Sequence, residues 1–206
     1  AVIGMDPNNG EILGMDSTDW YDLNDPYNIE GVTNTSQYVL MSQEEQTQVL
    51  NSIWRNYCIS DAIEPGSTAK VMTLSSALET ASVSQDDKFY CDGLETINGI
   101  DIHCAAWPDY HGELSTGDAL SHSCNDAFMQ IVAKTGVDNY LEYLSRFKIG
   151  SRTGIDLPGE NAGIVYSADA MGVLELATSS FGQGFTCTML QEAAAFASII
   201  NGGYYY

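Results

Sequence analysis

The sequence predicts an α+β fold, a helical subdomain combined with an antiparallel sheet that begins at the first residues. Three observations predict it. AVIGM and EILGM are short apolar runs on either side of Asp6-Pro7-Asn8-Asn9-Gly10, a dense turn signal, so residues 1–16 read as a hairpin. Farther along, apolar residues recur at three- and four-residue steps in several segments, which is the spacing of a helix face. No internal repeat or low-complexity linker interrupts the 206 residues, and a hydrophobic content of 44% is enough for one domain with a sizeable core.

The elements follow in order. DLNDPYN, residues 22–28, is a loop. SQEEQTQVLNSIWRN carries a capping-box pattern, Ser42 with Glu45, ahead of Leu50, Ile53 and Trp54 at helical spacing. After EPGSTAK, residues 64–70, the apolar positions Val71, Leu74, Leu78 and Ala81 mark one face of a helix that starts close to Ser67. Residues 84–114 are loop-rich and contain LETINGIDIH, whose Asn98-Gly99 pair favours a tight hairpin turn. STGDAL opens a short helix, and Phe128, Ile131 and Val132 mark another, closed by Gly136. Val137, Tyr140, Leu141 and Leu144 lie on a further helix, TGIDLPGE (153–160) is a turn-rich connector, and TMLQEAAAFASII forms a last helix stopped by Asn201-Gly202-Gly203.

Composition excludes some functions. Seven basic against 28 acidic residues give a formal net charge of −21, a surface that repels phosphate backbones, so no nucleic-acid partner is expected. No apolar run is long enough to span a bilayer. The chain opens directly on a strand, with no signal peptide, and ends at NGGYYY, the expectation for a domain cut from a longer protein. Of the cysteines Cys58, Cys91, Cys104, Cys124 and Cys187, Cys91 and Cys104 flank the 94–103 hairpin and are candidates for a disulfide across its arms, with two reduced thiols as the equal alternative. A zinc ion held by Cys91, His103, Cys104 and His111 is disfavoured because the spacing matches no common ligand pattern, so neither metal nor cofactor is expected.

Ser67 and Lys70 stand three residues apart, on one face of a helix. A serine hydroxyl is a poor nucleophile until a neighbouring base takes its proton. A lysine serves as that base when burial lowers its pKa, and Lys70 has Ala69, Val71 and Met72 around it rather than a carboxylate. Pro65-Gly66 sets Ser67 at the helix start, where backbone N–H groups and the positive dipole end stabilise an oxyanion. By itself Ser-x-x-Lys is a frequent coincidence. So is Ser123-Cys124-Asn125, which alone reads as a helix N-cap, and Phe181-Gly182-Gln183-Gly184 alone reads as a turn.

Taken together and in order, AVIGMDPNNGEILGM, DLNDPYN, WRN, EPGSTAK, HGELSTGDALSHSCNDAF, TGIDLPGE and FGQG resemble the transpeptidase domain of a penicillin-binding protein, of the class B, monofunctional kind found in Gram-positive bacteria. The resemblance covers essentially the whole chain. It implies a serine β-lactamase/transpeptidase-like fold, with Ser67 as acylated nucleophile, Lys70 as its base, Ser123 as proton relay to the leaving group and Asn125 as holder of the substrate amide and of Lys70. It further implies that the backbone N–H of Ser67 supplies half of the oxyanion hole and that Gly182, Gln183 and Gly184 border the substrate. Ala69 departs from the family's usual aromatic residue, which alters packing but removes no reacting group.

The family's third element is Lys-Thr-Gly on a strand. Lys134-Thr135-Gly136 is not it: the tripeptide follows FMQIVA at a helix end, only nine residues after Asn125. Residues 1–206 are therefore expected to be the N-terminal two-thirds of such a domain, with the Lys-Thr-Gly strand and its neighbours beyond Tyr206. The resemblance implies a D,D-transpeptidase acting on peptidoglycan stem peptides, acylated by β-lactams, working with cell-wall synthesis or division proteins, and held outside the cytoplasmic membrane by an anchor preceding Ala1. The alternatives are a serine β-lactamase or β-lactam sensor, against which Ser-Cys-Asn and the want of an assignable deacylating glutamate both argue, and a non-catalytic scaffold, against which the intact Ser67, Lys70, Ser123 and Asn125 argue. Cys124, inside the Ser-x-Asn element, reads first as a buried small residue and, as the alternative, as a point where oxidation would block the site.

Overall fold

The computed structural model describes residues 1–18 and 21–206. Strands β1 (Val2–Met5) and β2 (Ile12–Asp16) form the N-terminal hairpin, paired from Val2 with Asp16 to Met5 with Ile12 across an irregularity at Gly4/Met5. The Asp6 carboxylate closes its turn by accepting from the Asn8 N–H at 2.8 Å. Helix α1 (Thr35–Tyr38) is capped by Asn34, and α2 (Gln43–Ile53) shows the expected capping box. There the Ser42 N–H donates to Glu45 at 2.7 Å and the Glu45 N–H to Ser42 Oγ at 3.3 Å. Helix α3 (Tyr57–Ser60) and the short β3 (Ala62–Ile63) lead to a 3-10 turn, Gly66–Thr68, which runs straight into α4 (Ala69–Glu79).

The next segment is four short strands: β4 (Lys88–Cys91), β5 (Leu94–Ile97), β6 (Ile100–His103) and β7 (Gly112–Ser115). β5 and β6 are the expected hairpin, and Asn98 and Gly99 both take positive φ, 52° and 80°, as a two-residue turn of this kind requires. Then come α5 (Thr116–Ser121), α6 (Asn125–Thr135), α7 (Val137–Arg146), α8 (Val173–Ser179), β8 (Cys187–Thr188) and α9 (Met189–Ile200). The antiparallel sheet of the expectation is present, among the described residues, as four separate two-stranded ladders: β1–β2, β3–β8, β4–β7 and β5–β6. The inner face of the first hairpin, through Ile3, Met5, Ile12 and Met15, packs on Cys58, Ile59 and Leu190, while Val2 and Leu13 stay exposed. No helix among the described residues is long and apolar enough to cross a membrane.

Helix α4 sits at the centre, in contact with α5, α6, α7 and α9. Two clusters share it. Met72 packs with Tyr140, Leu144 and Phe185, whereas Leu74 and Ala77 pack with Phe89, Phe128 and Ile131. This corrects the expected face. Of Val71, Leu74, Leu78 and Ala81 only Leu74 is buried; the inward side is Ala69, Lys70, Met72, Thr73, Ser76 and Ala77. Thr73 and Ser76 can be buried because their hydroxyls find carbonyls: that of Thr73 is shared between Ser180 O at 2.9 Å and Ala69 O at 3.2 Å, and that of Ser76 donates to Thr73 O at 2.7 Å.

Of the two alternatives for Cys91 and Cys104, the structure has the reduced one. Cys91 and Cys104 do converge at the base of the β5–β6 hairpin, but as free buried thiols, like the other three. They are not alone there: Cys124 and His111 complete a group whose ligand atoms all lie within 4.8 Å of one another, and the Cys104 and Cys124 sulfurs, 3.8 Å apart, are well beyond a sulfur–sulfur bond.

One buried amide ties the C-terminal half together. Gln191, fully buried on α9, accepts from the Thr188 N–H at 2.7 Å and donates to the carbonyls of Ser151 at 2.7 Å and Ala162 at 2.8 Å. Gln191→Leu keeps the volume but leaves these groups unpaired, and it should cost about 2–3 kcal/mol of stability. Chemical denaturation of the variant beside the parent checks this.

Candidate active site

The candidate site is built where α4 meets the turn that opens α6. Ser67 lies in the 3-10 turn ahead of α4 and is exposed, while Lys70, one turn on, is only 1% exposed. The residues Ser123-Cys124-Asn125 form the link from α5 into α6, anchored by the N–H groups of Ser123 and Cys124, which donate to Leu120 O and Ala119 O at 3.0 Å each. To make this tight link Ser123 takes φ of +51°, a left-handed conformation unfavourable for a residue with a side chain.

The Lys70 amine is the hub. Its Nζ lies 3.1 Å from Ser67 Oγ, 2.9 Å from Ser123 Oγ, 2.7 Å from the Ser123 carbonyl and 2.7 Å from Asn125 Oδ1. The last two oxygens can only accept. A neutral amine that donates its two protons to them has its lone pair left for a serine hydroxyl, the arrangement a general base needs. Asn125 is held in the required sense because its Nδ2 donates to the His103 carbonyl at 3.4 Å. The rings of Phe128 and Phe181, 5.7 Å and 6.0 Å from Nζ, shut out water.

Burial disfavours the ammonium form and pulls the Lys70 pKa from the usual 10.5 down to about 8; the Cys104 and Cys124 sulfurs oppose this more weakly. With the neutral amine as the base, acylation of Ser67 should accelerate tenfold per pH unit below about 8 and level off above it. The rate of labelled β-lactam uptake between pH 6 and pH 10 tests this; a flat profile would remove Lys70 from the role.

The FGQG segment proves to be a buttress of the nucleophile turn. The Gly66 N–H donates to the Gly182 carbonyl at 3.0 Å, and Thr73 Oγ1 on α4 donates to Ser180 O at 2.9 Å. Gly182 has φ +83°, and a Cβ there would fall 2.0 Å from Gly66 O. Gly184 N–H donates to Glu64 Oε1 at 2.7 Å, a contact that gives Glu64 a positioning part the sequence did not signal. Of the three expected substrate neighbours, Gln183 lines an open cleft with Asn125, His103, Tyr166 and Thr178. Gly182 is fixed by its close approach to Gly66, and Gly184 lies against Tyr166 and Thr178 of the same cleft.

Lys134-Thr135-Gly136 lies, as expected, at the end of α6: Gly136 is its C-cap, and Lys134 pairs with Asp87 at 3.1 Å, over the Phe89 ring. Cys124 caps the other end of α6 and is fully buried. Burial pushes its thiol up, which makes it inert to oxidants rather than exposed to them.

A solvent-exposed serine 3.1 Å from a buried lysine amine, joined by a second serine and an asparagine, has the geometry of a serine acyl-transfer centre of the Ser-x-x-Lys kind. The chain belongs to the penicillin-binding protein transpeptidase domain family, whose family model matches residues 1–206. Its fold is the serine β-lactamase/transpeptidase-like one. It is 34% identical over 207 residues to Stage V sporulation protein D of Bacillus subtilis, covering 100% of this chain and 29% of that protein. It is 29% identical to the peptidoglycan D,D-transpeptidase FtsI of Escherichia coli, covering 100% of this chain and 31% of that one. Among solved structures, penicillin-binding protein 3 of Mycobacterium tuberculosis in complex with aztreonam superposes with a TM-score of 0.65 at 31% identity, over 71% of this chain and 32% of that chain. The chain thus spans less than a third of the length of these curated relatives.

Proposed function

We propose that this chain carries the nucleophile half of a peptidoglycan D,D-transpeptidase. The observation that supports the reading above all others is the buried Lys70 amine within bonding distance of Ser67, Ser123 and Asn125 at once. The Lys70 amine takes the Ser67 proton as Oγ attacks the carbonyl of the penultimate D-Ala of a stem peptide. The peptide bond then breaks as Ser123 hands its proton to the departing nitrogen of the terminal D-Ala and takes the proton held by Lys70, which returns to the neutral amine. Asn125 holds the substrate amide, the Ser67 N–H receives the oxyanion, and a neighbouring stem amine finally takes the acyl group from Ser67. With a β-lactam the broken bond lies in a ring, the leaving nitrogen stays tethered, and the acyl-enzyme persists.

In this reading residues 1–206 belong to a larger transpeptidase domain whose Lys-Thr-Gly strand lies in the rest of the protein, since Lys134-Thr135-Gly136 is committed to the end of α6. Gln183 borders the stem peptide. The protein works outside the cytoplasmic membrane, held there by a segment outside this chain, alongside other cell-wall synthesis or division proteins.

Intact-mass spectrometry of the whole protein before and after benzylpenicillin tests the proposal. One lasting adduct is expected, absent from Ser67→Ala. Rapid loss of the adduct would turn the reading to a β-lactamase, and no adduct on the whole protein would sink the acyl-transfer chemistry.

A further inference from the structure

Directly behind the Ser123–Asn125 link lies a second group of side chains, which the acyl-transfer chemistry does not use. Cys91 ends β4, Cys104 follows β6, His111 precedes β7 and Cys124 caps α6. Their four ligand atoms lie within 4.8 Å of one another. Cys104 Sγ is 3.8 Å from Cys124 Sγ, and His111 Nδ1 is 3.5 Å from Cys91 Sγ and 3.7 Å from Cys104 Sγ. A tetrahedral zinc ion with ordinary bond lengths sets its sulfur ligands about 3.8 Å apart and a sulfur and a nitrogen about 3.6 Å apart. These three of the six distances match, and the other three are no longer than 4.8 Å.

We infer that Cys91, Cys104, Cys124 and His111 together bind one structural zinc ion. Three thiolates and one neutral imidazole are a closed ligand set for this metal, with no position left for water or substrate, so the ion would hold structure rather than perform chemistry. Burial disfavours free thiolates at Cys91 and Cys124, so it is the metal that would supply the opposing charge there. The Ala127 N–H donates to Cys124 Sγ at 3.4 Å, a bond that a metal-bound thiolate there would keep. The chain beside Cys91 is fixed in turn by the buried Asp126 carboxylate, which accepts from the Asp92 N–H at 3.0 Å. A disulfide would use two of the three thiols and leave the third and His111 unexplained; the metal uses all four. The zinc reading is also the one in which His103, a ligand candidate by sequence, is replaced by Cys124: the His103 ring stacks on Trp107 instead.

The placement gives the ion a task. Cys124 stands between Ser123 and Asn125, both of which touch Lys70, while Cys91 and Cys104 belong to the ladder and hairpin outside α6. The metal would therefore clamp the Ser-x-Asn link to the β4–β7 ladder and the β5–β6 hairpin.

The intact protein, expressed with added zinc sulfate, is expected to carry about one zinc per chain by elemental analysis, and Cys91→Ser and His111→Ala to carry at least tenfold less. Stripping the metal should lower the melting temperature of the parent and leave that of Cys91→Ser unmoved. Should the variants fold poorly, the stripped parent titrated with cobalt chloride provides the second reading. One equivalent is expected to produce the sulfur-to-metal charge-transfer band and the intense visible bands of a tetrahedral thiolate site. Metal-free protein with all of these thiols open to titration, a parent mass two hydrogens light that maps to a disulfide within the cluster, or cobalt without a charge-transfer band would each overturn the site.

Discussion

Lys70→Met should lower the rate of Ser67 acylation by benzylpenicillin about a thousandfold, the usual worth of a positioned base. Methionine fills much of the same space between Phe128 and Phe181 but has neither proton nor basic lone pair to offer the serine. The fold should survive. Burial already sets the lysine pKa below its usual value, so the charged amine is a cost to the native state rather than a support. The sign follows from linkage. With a pKa of about 8 folded and 10.5 unfolded, the native state loses its proton first, so the penalty is full below pH 8 and fades as pH rises toward 10.5. In the methionine variant that rise in stability across pH 8 to 10.5 should vanish, as should the pH dependence of residual acylation below pH 8. Stopped-flow uptake of a labelled penicillin, with thermal melts at several pH values, measures both. A variant within tenfold of the parent would show that another group takes the proton.

Gly182→Ala is the second large effect, and it acts through the backbone. The new methyl group would stand 2.0 Å from the Gly66 carbonyl oxygen and 2.5 Å from its nitrogen, at a φ of +83° that alanine adopts only with strain. Nothing there can swing aside, because the obstructing atoms are main chain held by the Gly66–Gly182 hydrogen bond. Left-handed strain and overpacking together should cost about 3 kcal/mol or more, roughly 6–12 °C in melting temperature. Because Gly66 directly precedes Ser67, acylation should fall along with stability. Gly202→Ala is the control, since a methyl group there meets nothing within 4 Å although its φ is also positive. If Gly182→Ala melts no lower than Gly202→Ala, the close approach to Gly66 is not what the glycine is for.

What could be read from the sequence was what depends on neighbours along the chain. The Ser42–Glu45 capping box, the Asn98-Gly99 turn, the end of α6 at Gly136 and the Ser67–Lys70 spacing all involve residues within a few positions of one another, and all stand where expected. The inward face of α4 was misread because Thr73 and Ser76 hide their polarity in bonds to backbone carbonyls, of their own helix and of Ser180, so hydropathy points to the wrong side. The short α8 was passed over, since seven residues give too little periodicity to mark a helix. The role of Gly182 and the joining of Cys124 to Cys91, Cys104 and His111 depend on segments tens of residues apart, and spacing along the chain carries no trace of either.

The left-handed turn at Ser123 has a consequence for how this chain can vary. Glycine is the residue that adopts such a backbone freely, so substitution to glycine would relieve about 1 kcal/mol of strain. It would also delete the hydroxyl 2.9 Å from the Lys70 amine. Stability and turnover therefore pull in opposite directions at one position. Variants selected for heat resistance alone would be expected to drift there toward loss of activity, while selection for turnover keeps the strained serine and makes up the deficit elsewhere in the domain.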